Sequence, residues 1–206
     1  MKELGEDSLK ELSKINDPDI RNTYWVKLEA NGGRRPVAVK DRHQQADSLK
    51  LHDGVPEEIK IHFETAKNLY LYSWFVYRFG PVAEYHACIS LEYALRLKLN
   101  GKKRGLAQLL KHAVSEGWLK DDGFSVWWNR KRQTEYYKQM YKDISKTLGR
   151  ELEFKEEKFE YVKVLTENLP KIRNNYAHGA PTLGPASYMH LQICAEAINQ
   201  LFIQKN

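Results

Sequence analysis

The chain has 206 residues, of which 42% are hydrophobic, and its 33 lysines and arginines against 27 acidic residues give a net charge of +6. This length fits one domain with an appendage or two small domains, and the apolar content is enough to bury a core. No apolar run is long enough to cross a bilayer, the charged N-terminal segment lacks the apolar centre of a signal peptide, and Cys88 and Cys194 lie in apolar helical patterns typical of reduced core residues. We therefore expect a cytoplasmic protein without membrane partners, and the mild positive charge allows a polyanionic partner without requiring one.

Residues 1–55 differ in pattern from the rest of the chain. A short helix is predicted from Asp7 to Ile15, and residues 23–40 alternate apolar and polar side chains on either side of an Asn-Gly-Gly turn, which predicts a β-hairpin. The polar segment 41–54 is typical of a linker. The sequence thus predicts an N-terminal α+β extension over residues 1–55.

From Pro56 onward the apolar residues recur every three or four positions, as in amphipathic helices. Pro170 lies inside one of these helices, where we expect a kink or a restart with Asn168 as a cap. The fold class predicted for residues 56–206 is all-α, an antiparallel bundle of four to five helices. The predicted segments are 56 to a stop at Gly80 and Pro81, 82–99, 106 to near Gly117, 130–148, 162–178 and 185–203.

The segment 173–179 reads RNNYAHG and closes the helix that contains Pro170. Arg173 and His178 are five residues apart, so on a regular helix their side chains would point about 140° away from each other. Asn174 and His178 would share a face. Arg173 and His178 converge only if the helix end is irregular or if a second subunit supplies the missing partner, so we expect a homodimer whose two motifs meet.

These residue types suit metal-free RNA cleavage. The arginine fork matches phosphate oxygens, and an imidazole gives or takes a proton near neutral pH. A base would remove the 2′-hydroxyl proton, the oxygen would attack the adjacent phosphate, and the cation would stabilise the growing charge. The alternative is an ordinary helix end, in which His178 favours the negative end of the helix dipole and Gly179 is the left-handed cap.

The motif resembles the hallmark of the HEPN superfamily, an arginine followed after four to six residues by a histidine, often with a polar residue directly after the arginine. Arg173, Asn174 and His178 match these positions in a penultimate helix, and residues 84–99, EYHACISLEYALRLKL, are similar to another family helix. The resemblance implies a metal-independent endoribonuclease, in a toxin or an antiviral defence effector, that is dimeric and needs no cofactor. It also implies an alternative, because some relatives are inactive and only bind RNA, a nucleotide or a protein.

One departure from the family pattern concerns control of the motif. A toxin subgroup carries His-x-Tyr after the arginine, whereas Gly179 and Ala180 follow His178 here. The missing tyrosine argues against control by nucleotide transfer onto this motif.

Further candidate residues surround the motif. Glu92 lies in an otherwise apolar helix and needs a partner, which can be Arg173 or, one turn away, Arg96. In residues 127–142 the aromatic and basic side chains can stack and hold RNA, or the aromatics can be a core stripe made by Tyr137, Tyr141, Ile144 and Leu148. The basic loop 101–105 can bind RNA backbone or be ordinary surface charge, and the histidines form no metal-binding pattern. The RNA-binding candidates are Lys102, Lys103, Arg104, Lys171, Trp128 and Arg130.

Overall fold

The computed structural model describes residues 4–100, 104–179, 183 and 187–203. A two-stranded antiparallel sheet, β1 (Val26–Leu28) and β2 (Arg34–Pro36), places Val26 opposite Pro36. The α-helices of the described residues are α1 (Ile20–Thr23), α2 (Val39–Ser48), α3 (Glu57–Tyr72), α4 (Phe79–Lys98), α5 (Leu106–Ser115), α6 (Ser125–Leu148), α7 (Tyr161–Ala177) and α8 (Ser187–Leu201).

Helix α4 is the centre of the fold, since it packs against α3, α5, α7 and α8. Its small and branched apolar residues, among them Ala87 and Leu91, are fully buried, so neighbouring helices approach it closely on several sides. The predicted all-α class with a small β extension is confirmed at this level. Within the described residues, no helix combines the length and the apolar character needed to cross a membrane.

The N-terminal extension differs from expectation in two places. The hairpin is confirmed, but the predicted helix from Asp7 to Ile15 is wrong, because the chain forms two short 3-10 turns, Gly5–Asp7 and Leu12–Lys14. The predicted linker 41–54 is also wrong, because most of it forms α2.

Helix α2 forms because its polar residues have specific partners. Asp41 accepts a hydrogen bond from the Ala38 backbone N–H at 2.9 Å, which satisfies a free donor of the first turn. Ala46 and Leu49 enter the same buried core as the bundle. Residues 39–49 thus pack on the bundle, while the division of the chain at residue 55 stays a prediction.

Both prolines that were expected to interrupt helices lie inside them. Gly80 and Pro81 belong to the first turn of α4, where backbone N–H groups have no helical partner and proline removes nothing. Helix α7 runs through Pro170 without a restart, and Asn168 donates to the Val164 carbonyl at 2.9 Å instead of capping a new helix. The predicted stop at Gly80 and the predicted restart at Asn168 are therefore wrong.

Helix α6 is 24 residues long and has no buried residue. The predicted core stripe in it is wrong, since its four members are 36% to 54% exposed. The chain reverses at Gly149, whose φ is +62°, and runs back along the helix, so that Tyr141 packs on Phe154 and Lys138 pairs with Glu156 at 2.8 Å. Apolar spacing identified the apolar face of α6 but not what it contacts.

Candidate functional site

The motif lies where α7 ends. The helix continues to Ala177, His178 follows with φ −95° and ψ 12°, and Gly179 has φ +75°. The His178 N–H still donates to the Asn174 carbonyl at 3.0 Å, while the His178 side chain is exposed. Gly179 is therefore the left-handed cap that the sequence predicted, and it leaves the imidazole open to solvent beside the helix end.

Arg173 is held from the side of α4. Its Nη2 lies 3.0 Å from Glu92 Oε2, its Nη1 donates to Asn174 Oδ1 at 3.1 Å, and its guanidinium lies 6.0 Å from the centre of the Tyr85 ring. Both predicted partners of Glu92 are present, because Arg96 Nη2 donates to Glu92 Oε1 at 2.6 Å. The carboxylate thus gives one oxygen to each arginine.

Burial explains why this carboxylate fixes the guanidinium. The Glu92 side chain is 9% exposed and the Arg173 side chain 29% exposed. A buried carboxylate is costly without a cation, so the pair locks Arg173 against α4 while part of the guanidinium still meets solvent. An arginine has five N–H donors, of which Glu92 and Asn174 take two, and Nε is buried without a partner among the described atoms. The two remaining Nη–H groups are the donors that could meet an incoming anion.

The single chain does not join the two main motif residues. Among the described residues, the contacts of Arg173 are with Glu92, Asn174 and Tyr85, and no hydrogen bond links it to His178. Helix α7 is regular up to Ala177, so the angular separation expected for a regular helix is retained.

A second carboxylate cluster lies behind the motif and was missed by the sequence analysis. Glu84 is 1% exposed and accepts hydrogen bonds from Tyr176 Oη at 2.5 Å and Ser187 Oγ at 2.7 Å, while His190 Nδ1 contacts the same carboxylate. These residues come from α4, α7 and α8, and they tie together the two helices that flank residues 180–186. The sequence signal that could have identified the cluster is Glu84 itself, a glutamate about two helical turns before Glu92 in the same apolar pattern.

The close packing around Glu84 shifts two pKa values. Burial by itself would raise the pKa of Glu84, but the hydrogen bonds from His190, Ser187 and Tyr176 outweigh it and lower that pKa below its ordinary value. Burial, followed by the bond to Glu84, raises the pKa of Tyr176.

Helices α4 and α8 approach each other closely at Gly80. A side chain at this position would place its Cβ 2.9 Å from Ser187 Oγ, so the close approach requires a glycine.

The RNA-binding candidates fall in two places. The Arg104 carbonyl accepts from Arg96 Nη2 at 3.4 Å, and Arg96 shares the Glu92 carboxylate with Arg173, while Lys171 is exposed on α7. Lys102 and Lys103 lie outside the described residues.

The other two candidates, Trp128 and Arg130, are on α6. Trp128 Nε1 donates to the Asp122 carbonyl at 2.7 Å and its ring lies beside Lys131 at 5.3 Å, while Arg130 lies 3.8 Å from Glu157. In the described chain none of these contacts reaches the motif.

The part of the chain that the structure describes contains no group of three or more histidine, cysteine, aspartate or glutamate side chains placed to hold a metal ion. Comparison with protein-family models, with curated proteins and with solved structures finds no match to this chain. An assignment of function therefore depends on the residues themselves.

Proposed function

We propose that this protein is a metal-independent endoribonuclease of the HEPN type. The observation that carries the proposal is the Arg173–Glu92 pair, which presents a fixed, partly exposed guanidinium on the helix that ends at the exposed His178. A positioned cation with free donors and an exposed imidazole are together the minimal equipment for cleaving a phosphodiester without a metal.

In the proposed reaction, His178 takes the proton from the ribose 2′-hydroxyl, and that oxygen attacks the adjacent phosphorus. Arg173 stabilises the charge that develops on the phosphate oxygens, and the P–O5′ bond breaks as the departing oxygen receives a proton. The products are a 2′,3′-cyclic phosphate and a 5′-hydroxyl. Asn174 accepts a hydrogen bond from Arg173 through its side chain and thereby orients the guanidinium.

The separation of Arg173 and His178 within one chain supports a homodimer with the motif at its interface. A second copy would bring its own imidazole to the guanidinium, and two imidazoles would share the roles of acid and base. Apolar residues on the exposed side of α4 support such a contact: Val82, Tyr93 and Leu97 are at least 36% exposed and lie on the helix that carries Glu84 and Glu92.

RNA is the proposed substrate. Lys171, two residues before Arg173, and Arg104, whose carbonyl meets Arg96, add positive charge for RNA phosphates, and the exposed Trp128 with Arg130 offers a stacking platform on α6. The biological setting that the motif suggests is a toxin or an antiviral defence effector.

The test is His178→Ala in the full chain, incubated with total RNA and a chelator. We expect cleavage to fall by about 10²–10⁴-fold, since one acid–base group is lost. Wild-type products should end in 2′,3′-cyclic phosphate. His43→Ala is the matched control, because His43 is an exposed histidine on α2, away from α7. Both variants should unfold at the wild-type temperature, and equal cleavage by His178→Ala and wild type would refute the proposal.

A second candidate function is an inactive module that binds RNA, a nucleotide or a protein. It is favoured by the lack of a contact between Arg173 and His178 in the described chain. RNA that is shifted in a gel but stays intact at all protein concentrations would support this module and exclude the nuclease.

A further inference from the structure

A cavity of about 410 Å³ lies between the N-terminal extension and the bundle. Its walls come from the β-hairpin, from α2, from the C-terminal end of α3 and from the first turns of α4 and α8. This volume is within the range of small-molecule sites, which lie preferentially where separate parts of a fold meet. The cavity is separate from the RNNYAHG motif, whose residues do not line it.

The cavity has a single charged wall residue, Arg42. Its Nη2 donates to Asn22 Oδ1 at 2.7 Å and its Nη1 to Ser73 Oγ at 3.2 Å, and both acceptors are neutral. No acidic side chain of the described residues lies within 4.0 Å of its guanidinium nitrogens. Arg21 and Arg35 of the same extension differ, since each is paired with carboxylates.

Arg42 therefore carries an uncompensated positive charge with donors to spare. Two of its five N–H groups are used, and the guanidinium is fixed by stacking 5.0 Å from the centre of the Tyr70 ring. A partly buried, pre-oriented guanidinium is suited to bind a phosphate through two parallel hydrogen bonds. Two buried carboxylates lie behind the wall, and both already have donors: Glu84 accepts from the wall residue Ser187, and Asp19 accepts from Arg21 and from the Tyr77 N–H.

Four of the twelve residues that line the cavity are aromatic. Tyr70 and Tyr188 lie with ring centres 6.2 Å apart, Tyr77 lines the same space, and Trp25 is 44% exposed at its edge. The Tyr70 hydroxyl donates to Gln45 Oε1 at 2.5 Å, and its ring is 3% exposed and lies under Arg42. The rings left to meet a ligand are those of Trp25, Tyr77 and Tyr188. Rings of this kind stack on planar ligands such as nucleobases.

We infer that this cavity binds a nucleoside monophosphate, with the phosphate at Arg42 and the base among the aromatic walls. The inference does not require the proposed ribonuclease activity. It gives the N-terminal extension a role, because this part of the chain supplies Trp25 for stacking on the base and Arg42 for binding the phosphate.

The experiment is calorimetric titration of the full chain with AMP, GMP, CMP and UMP, with inorganic phosphate and with the four nucleosides. We expect at least one monophosphate to bind at least tenfold more tightly than both its nucleoside and inorganic phosphate. Arg42→Gln should weaken that binding at least tenfold, as should Trp25→Ala, while Arg34→Gln, which changes an exposed arginine of the same hairpin, should leave it unchanged.

The inference is overturned if no monophosphate binds at millimolar concentration, if inorganic phosphate binds equally well, or if Arg42→Gln binds as wild type does. Thermal unfolding of each variant shows whether it is folded. Should Arg42→Gln not fold, Arg42→Lys replaces it, since lysine keeps the charge but loses the fork, and weaker binding is again the expected result.

Discussion

Glu84 and Glu92 are both buried on α4, yet their surroundings differ. Glu84 is enclosed by a tyrosine, a serine and a histidine from α7 and α8, whereas Glu92 is shared by two arginines that reach solvent. In the first arrangement the three neighbouring side chains all direct their polar groups at the Glu84 carboxylate, so its role is structural. The second leaves cationic donors free on the outer side, so it can also present charge to a ligand. Two carboxylates of one helix thus separate a structural role from a candidate catalytic one.

Loss of the enclosed carboxylate should have the largest effect. Glu84→Ala leaves three donors without an acceptor, Ser187 buried and Tyr176 and His190 partly buried, and we expect the free energy of unfolding to fall by about 3–5 kcal/mol. Urea denaturation measures it. Glu92→Ala is the comparison and should cost less, because Arg173 and Arg96 can turn toward water. An equal loss in the two variants would show that the carboxylates do not differ as described.

Substitution of Arg173, which is partly exposed to solvent, should lower RNA cleavage and leave the free energy of unfolding unchanged. Arg173→Lys keeps a cation beside Glu92 but removes the fork, so we expect RNA cleavage to fall by about 10²-fold. Arg96→Lys is the matched control, since Arg96 contacts the other oxygen of the same carboxylate and should retain most of the activity. Similar losses of cleavage in both variants would show that the effect comes from disturbing Glu92 and not from the Arg173 fork. Stability is checked by urea denaturation.

Acid should act through Glu84. Because the folded protein lowers the pKa of Glu84 below its ordinary value of 4.5, its contribution to stability is complete above that pH and is lost as the pH falls through the folded value. Urea midpoints measured from neutral pH downward should therefore fall more steeply below pH 4.5 in wild type than in Glu84→Gln. Parallel curves would mean that the Glu84 pKa is not lowered.

The smallest effect is expected at Tyr176, a residue of the motif that belongs to the enclosed cluster. Tyr176→Phe removes one of the donors to Glu84, and we expect a loss of about 1 kcal/mol with cleavage near the wild-type rate. Tyr24→Phe, at a 76% exposed position just before β1, is the control and should change neither property. A large loss of cleavage with unchanged stability would place Tyr176 in the chemistry.

Much of the fold could be predicted from the sequence, because it depends on local patterns. The hairpin turn, most helices of the bundle and the cap at Gly179 follow from residues within a few positions of each other. Helix α2 was missed because its polar composition resembles a linker, whereas the cap made by Asp41 and the burial of Ala46 and Leu49 explain why it forms. The exposed face of α6 was misread since spacing does not say what an apolar face will meet.

The candidate site, like the fold, could be predicted from the sequence only in part. The sequence by itself determined that Arg173, Asn174 and His178 lie at a helix end, and it identified Glu92 as a buried carboxylate in need of a cation. Only the tertiary structure decided that Glu92 also meets Arg173 and that Glu84 joins Tyr176 and Ser187, because these partners are 81, 92 and 103 residues apart in the chain. Helical periodicity extends over a few turns, whereas contacts between distant helices depend on how whole apolar faces pack.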